Sequence, residues 1–188
     1  MSCVVGIDQS VLHTGVCVLD LSTGRAILTL IEPPAKLDNI GRLVYLYSSI
    51  CTALKGVFVP VSVLEGYSIG SLNRPFDLGE VGGITKLAMF AHSAKVYAAA
   101  PKQLKKFVTG NGSASKEQVQ DGVQALWGAR IENDNLADAY GLAQIAACIV
   151  DPTRAVRRAQ TEISVAVKAT LEPKAKPKAA VKLKRLSI

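Results

Sequence analysis

The chain has 188 residues, 49% of them hydrophobic, so it can bury a sizeable core as one domain, and a disordered protein is excluded. No apolar run approaches the ~18 residues of a membrane span, and no basic stretch followed by an apolar one opens the chain, so a cytoplasmic protein without membrane contact is expected. The formal net charge of +7 is unevenly placed: residues 1–150 hold 12 basic and 12 acidic side chains, residues 151–188 hold 10 and 3.

A neutral body with a basic tail suits a polyanionic partner, of which nucleic acid is the usual one. The four cysteines, Cys3, Cys17, Cys51 and Cys148, form no CxxC pair, and His13 and His92 do not lie near one. A structural zinc site is therefore not expected, and reduced thiols are.

"SCVVGID" is apolar and β-branched and reads as a strand ending on Asp8. "HTGVCVLDL" and "RAILTLIE" read as the second and third strands, with turn chemistry in "QSVL" and "LSTGR" between them, so the domain opens as an antiparallel meander. In "KLDNIGRLVYLYSSICTALKG", Leu37, Ile40, Leu43, Val44, Tyr47, Ile50 and Leu54 recur at helical spacing up to a glycine stop. "VSVLEGY" is a short buried strand that again ends on an acid, Glu65. A Gly-rich helix, "FDLGEVGGITKLAMFAHSA", leads to a fifth strand, "KVYAAA".

Pro101 opens the helix "PKQLKKFVTG" at a first-turn position. Ser115 and Gln118 make a capping-box pattern at the head of "SASKEQVQDGVQALWG". "NLADAYGLAQIAACIV" is apolar almost throughout, hence a buried helix. After Pro152 the pattern decays. The β-branched "ISVAV" weakens a helix there, and "EPKAKPKAAVKLKRLSI" is Lys/Ala/Pro low complexity, expected to be disordered. The expected organisation is one domain over residues 1–151 and a basic tail over 152–188. The order of strands and helices is α/β, with a mixed sheet whose later strands run parallel to the first.

Asp8 and Glu65 each end a strand. If those strands are parallel neighbours, both acids project from one end of the sheet, where sites in open α/β sheets lie. Asp138 sits inside an apolar helix, a costly place for a carboxylate without a partner or a metal. Asp134 and Asn135, four and three residues earlier, share its face. Four convergent oxygen-rich side chains need a cation between them, and hard oxygens suit Mg²⁺ or Mn²⁺. Two such ions are the usual apparatus for hydrolysing a phosphodiester.

These residues resemble RuvC-type Holliday-junction resolvases, nucleases with the ribonuclease H fold, over about residues 3–150. "GIDQS…TG" is similar to the family's first-strand motif, "VLEGY" to its strand-end Glu, and "LGEVGGI" to the helix that follows. "FVTGNGSASKEQV" resembles its G-x-G-x-A-x-K-x-x-V stretch, and "ADAYGLA" its final helix. The resemblance implies a ribonuclease H-like mixed five-stranded sheet with helices on both faces. It implies a homodimer that cuts four-way DNA junctions by paired nicks, with two Mg²⁺ or Mn²⁺ ions per site. Carried over by position, Asp8, Glu65 and Asp138 are metal ligands. The fourth ligand is Asp134, with Asn135 as the alternative, because the family's Asp or His falls here on Asn135.

Lys116 matches the family's lysine in that stretch and Lys105 a second basic position, with Lys106 beside it. Their implied role is at the scissile phosphate. Tyr67 could stack on a base and Arg74 could contact a phosphate; Tyr67 could equally be core. The small residues of "GEVGGI" make the helix at 77–93 the candidate dimer interface, and the tail adds salt-sensitive DNA affinity. A flap, branched-DNA or RNA–DNA hybrid nuclease of the same fold would need the same acids. A DNA-binding module without catalysis is a further alternative. A sugar-kinase or actin-like ATPase shares the "GIDQS" stretch but needs two such domains.

Overall fold

The computed structural model describes residues 3–66 and 75–170. The opening meander is β1 (Cys3–Asp8), β2 (Thr14–Asp20) and β3 (Ala26–Ile31), each antiparallel to the next. The Asp20 carboxylate accepts from the Ser22 amide at 2.7 Å, and Gly24 takes the left-handed conformation that closes the turn. β4 (Val59–Glu65) pairs with β1 in parallel, and β5 (Ser93–Ala99) pairs with β4 in parallel. The sheet order is β3-β2-β1-β4-β5, the mixed five-stranded sheet expected.

Alternation along the strands sorts side chains to two cores. Val5, Ile7, Val16, Val18 and Leu64 pack with helix α1 (Asn39–Ala53) and helix α2 (Pro75–Phe90) on one face. Val4, Cys17, Leu19, Val61 and Val63 face the other, covered by α3 (Pro101–Thr109), α4 (Lys116–Trp127) and above all α5 (Asp134–Val150). α5 is buried on nearly every side from Ala137 to Ile149, as its composition requires.

Local signals hold where the chemistry is explicit. Asp38 caps α1 by accepting from the Gly41 amide at 2.7 Å. The Ser115–Gln118 capping box forms in both directions, at 2.9 and 3.3 Å. Pro101 begins α3. The buried stripe of α1 is Leu46, Ile50 and then Leu54, with Leu43 and Tyr47 at its edge; Ile40 and Val44 are exposed. Leu46, Ile50 and Leu54 carry the packing of this region onto the core, while Ile40 and Val44 face outward.

The domain boundary at 151 needs correction. A 3-10 turn at Pro152–Arg154 is followed by helix α6 (Arg158–Ala169), which packs on α3, α5 and β5. Ile163 and Val167 enter the core on one side of α6, and the Gln160 side chain accepts from the Val156 and Arg157 amides at its head. Tertiary burial of one face outweighs the weak propensity of the β-branched run. Residues 171–188 lie outside the described residues.

Candidate active site

Val4, Gly6 and Asp8 share one face of β1, and Val61, Val63 and Glu65 share the same face of β4. The pairs Val5–Ser62, Gly6–Val63 and Ile7–Leu64 bring Asp8 and Glu65 side by side at the strand ends. Both therefore stand under α5. That helix comes unusually close: a Cβ on Gly6 would lie 2.1 Å from the Ala139 carbonyl oxygen, and one on Gly15 would lie 2.3 Å from that of Asn135. Glycine at these two points lets α5 lie on the backbone of β1 and β2, and so delivers Asp138 to the strand-end acids.

Electrostatics report the convergence. Burial first, then the charges of Glu65 and Asp138, push the Asp8 carboxyl up to about 9. Asp8 is 6% exposed. Burial, then Glu65 and Asp134, push Asp138 up to about 7. Glu65 is raised by burial, opposed by a hydrogen bond from Asp8 and by the charges of Lys105 and Lys116. Asp134 goes the other way. Its bond to the Lys116 ammonium holds it below the usual carboxylate range, and Lys116 is raised in return.

Asp8, Glu65, Asp138, Asp134, Lys116 and Lys105 thus meet in one place. Asp138 is half-buried, since it opens toward the site from an otherwise apolar helix. Asp134 acts on both Asp8 and Asp138, whereas Asn135 lies with its backbone against Gly15. Lys106, next to Lys105 on α3, is exposed and pairs with Glu162 of α6 at 3.5 Å. Tyr67 and Arg74 lie outside the described residues. Gln9 falls in the turn expected after β1, yet its side-chain amide donates to the Glu65 carbonyl oxygen at 2.7 Å. Its one signal in the sequence is its place next to Asp8.

Among the described residues no three His, Cys, Asp or Glu side chains already stand in the geometry of a metal site. They are nonetheless close enough to oppose one another's ionisation, with protons and one ammonium balancing the charge. The backbone positions of these acids are set by strand register and the α5 approach. The donor set, carboxylate oxygens in a buried pocket short of positive charge, fits Mg²⁺ or Mn²⁺. An open groove of about 620 Å³ between β3 and α1 is lined by Ile31, Leu37, Val44 and Tyr45 and holds no carboxylate. It is remote from this chemistry.

A family model described as crossover junction endodeoxyribonuclease RuvC matches residues 4–148. The chain belongs to the RuvC family of crossover junction endodeoxyribonucleases. The RuvC of Caldicellulosiruptor saccharolyticus is 28% identical over 148 residues, covering 74% of this chain and 89% of the relative. That of Caldanaerobacter subterraneus is 31% identical over 147 residues, covering 74% and 88%. Among solved structures, Thermus thermophilus RuvC superposes with a TM-score of 0.63 at 24% identity, covering 75% of this chain and 90% of that one. The same protein in complex with Holliday junction substrate gives 0.64 at 22%, covering 76% and 90%. The two superpositions show the shared RuvC fold.

Proposed function

We propose that this chain resolves four-way DNA junctions by paired symmetric nicks, as a homodimer in the cytoplasm, through metal-assisted phosphodiester hydrolysis. The observation that carries the reading is the convergence of Asp8, Glu65 and Asp138 under α5, each raised by burial and two of them by the others' charge. Membership of the RuvC family and the junction complex of Thermus thermophilus RuvC support the substrate.

Two divalent cations, Mg²⁺ or Mn²⁺, would supply activation of the attacking water and stabilisation of the leaving oxygen. Asp8, Glu65 and Asp138 would hold them, with Asp134 as the fourth ligand, and Asp8 would release its proton to solvent. Lys116, bonded to Asp134 here, would be free to meet a phosphate oxygen once Asp134 binds a cation, offsetting charge that develops in the transition state. Lys105, on the neighbouring helix, faces Glu65 and Asp138 and draws the DNA backbone toward them.

A symmetric junction has two scissile strands, which a two-fold related pair of sites would serve. Phe76, Leu87 and Phe90 lie exposed along α2 at positions one helical face brings together, with open space where a Gly83 side chain would be. This stripe is the proposed contact between two copies. The test is a nicking assay on a mobile four-way junction beside a duplex, a flap and an RNA–DNA hybrid, with Mg²⁺, Mn²⁺ or EDTA. Paired nicks on the junction alone, lost in EDTA, are expected. Equal cutting of flaps or hybrids would replace junction resolution with a broader nuclease activity.

A further inference from the structure

The ladder between β1 and β4 runs through Gly6–Val63 and Ile7–Leu64 and stops there. Beyond it, the Gln9 side chain takes over. Its Nε2 donates to the Glu65 carbonyl oxygen at 2.7 Å, linking residues 56 apart in sequence across the gap where the strands begin to separate. The orientation of the amide is set by its partner: a carbonyl can only accept, so nitrogen and not oxygen faces Glu65. The other end of the amide is unusual. Gln9 is 9% exposed, and its Oε1 is buried with no hydrogen-bond partner among the described residues. A buried acceptor left unmade costs on the order of 1–3 kcal/mol, so its place beside Asp8 calls for a donor.

From this geometry we infer that Gln9 is a positioning residue of the metal site. Its amide nitrogen fixes the backbone of Glu65, so that the Asp8 and Glu65 carboxylates stay side by side. Its amide oxygen accepts a hydrogen bond from the hydration shell of a divalent cation held there. The inference rests on the metal-binding reading of the site. Gln9 acts through Glu65 and through water, so its effect falls on cation affinity more than on the fold. Hydrogen-bonding partners behind metal ligands contribute about 10–100-fold in affinity, which sets the expected size.

The experiment uses the full chain and Mn²⁺ as the probe. Calorimetry gives its Kd, and the rise in melting temperature on adding Mn²⁺ to metal-free protein gives an independent reading. Gln9→Met removes both polar atoms at similar volume. It is expected to weaken Mn²⁺ binding at least about tenfold and to shrink the Mn²⁺-induced rise, with junction binding in EDTA unchanged. Gln9→Asn, whose amide is too short to reach, gives the same readings should the Met variant fail to fold. Wild-type Kd in either folded variant would overturn the inference. So would a melting temperature lowered equally with and without Mn²⁺, which marks a purely structural role. A wild-type chain that binds no Mn²⁺ would overturn the metal reading itself, and this inference with it.

Discussion

Asp8 and Glu65 end two neighbouring parallel strands in register and share a hydrogen bond between their carboxyls. One proton is held between two acids, with Asp138 pressing on Asp8 from α5 and pressed in turn by Glu65. Each of the three has a raised pKa in the folded chain. A raised pKa means the folded state binds the proton more tightly than the unfolded state does. The stabilisation is complete below the ordinary carboxylate range, near 4, and is lost as pH rises through about 7 for Asp138 and about 9 for Asp8. The melting temperature in EDTA should therefore fall between pH 5 and 9, by on the order of 5 °C. Mg²⁺ should recover the loss most fully at the alkaline end, where the carboxylates are free to bind it. A flat EDTA profile would mean the acids do not share their burden.

Asp8→Asn removes an ionisable group from the crowded site and leaves its shape. The variant should fold, with a metal-free melting temperature at pH 8 no lower than wild type, because the amide stays neutral at every pH where Asp8 must hold a proton to avoid a buried charge. Junction cleavage should drop by about 10³-fold or more, with junction binding retained. Gel-shift and nicking assays on one preparation separate the two. Failure to fold would make Asp8 a structural residue.

Much of this site was legible because its signals are local. A strand's period of two tells which face Asp8 and Glu65 occupy, and an acid inside the apolar run of α5 stands out against its neighbours. What stayed hidden depended on tertiary contact. The β-branched α6 gains its stability from Ile163 and Val167 on the core, which propensity cannot show. Lys105 and Lys106 are neighbours in sequence, and the Glu162 partner that Lys106 finds on α6 could not be read from it. Gln9 has the setting of a turn residue, and only the pairing of β1 with β4 gives it the Glu65 carbonyl.

The choice between Asp134 and Asn135 can be made by substitution. Asp134 touches Lys116 and raises Asp8 and Asp138, while Asn135 is placed by its backbone over Gly15. Asp134→Asn should lower kcat/KM by about 10²-fold and weaken Mn²⁺ binding, and Asn135→Ala should stay close to wild type. Calorimetry and single-turnover nicking read both effects. The opposite ranking would move the fourth ligand to Asn135.

Two truncations divide the C-terminal region by its physics. Residues 171–188 carry six basic side chains, Lys174, Lys176, Lys178, Lys182, Lys184 and Arg185, against Glu172 alone. Their removal should weaken DNA binding and flatten its salt dependence, by up to about 0.9 in log–log slope for each phosphate no longer neutralised, with the thermal midpoint held. Cutting at 151 also strips α6 from the core, uncovering the surface that Ile163 and Val167 cover. That protein should melt well below the first truncation or fail to accumulate. Equal midpoints would mean α6 adds nothing to the domain.

The last prediction concerns α2. Phe76 and Phe90 are 85% and 78% exposed, and Leu87 lies between them on the same side, a costly set of side chains to leave in water. Burying the three against a second copy would recover about 1.5–3 kcal/mol for each side chain fully covered. If α2 forms the proposed contact between two copies, a carboxylate in the stripe, as Leu87→Glu or Phe90→Glu, would set like charges against each other across it and should leave the chain monomeric by light scattering. Metal affinity at each site should be unchanged, because α2 lies on the face of the sheet away from α5. Paired nicking should give way to single, uncoordinated nicks, seen as nicked junctions that accumulate before resolution. A monomeric wild type, or dimeric variants, would remove α2 from the interface.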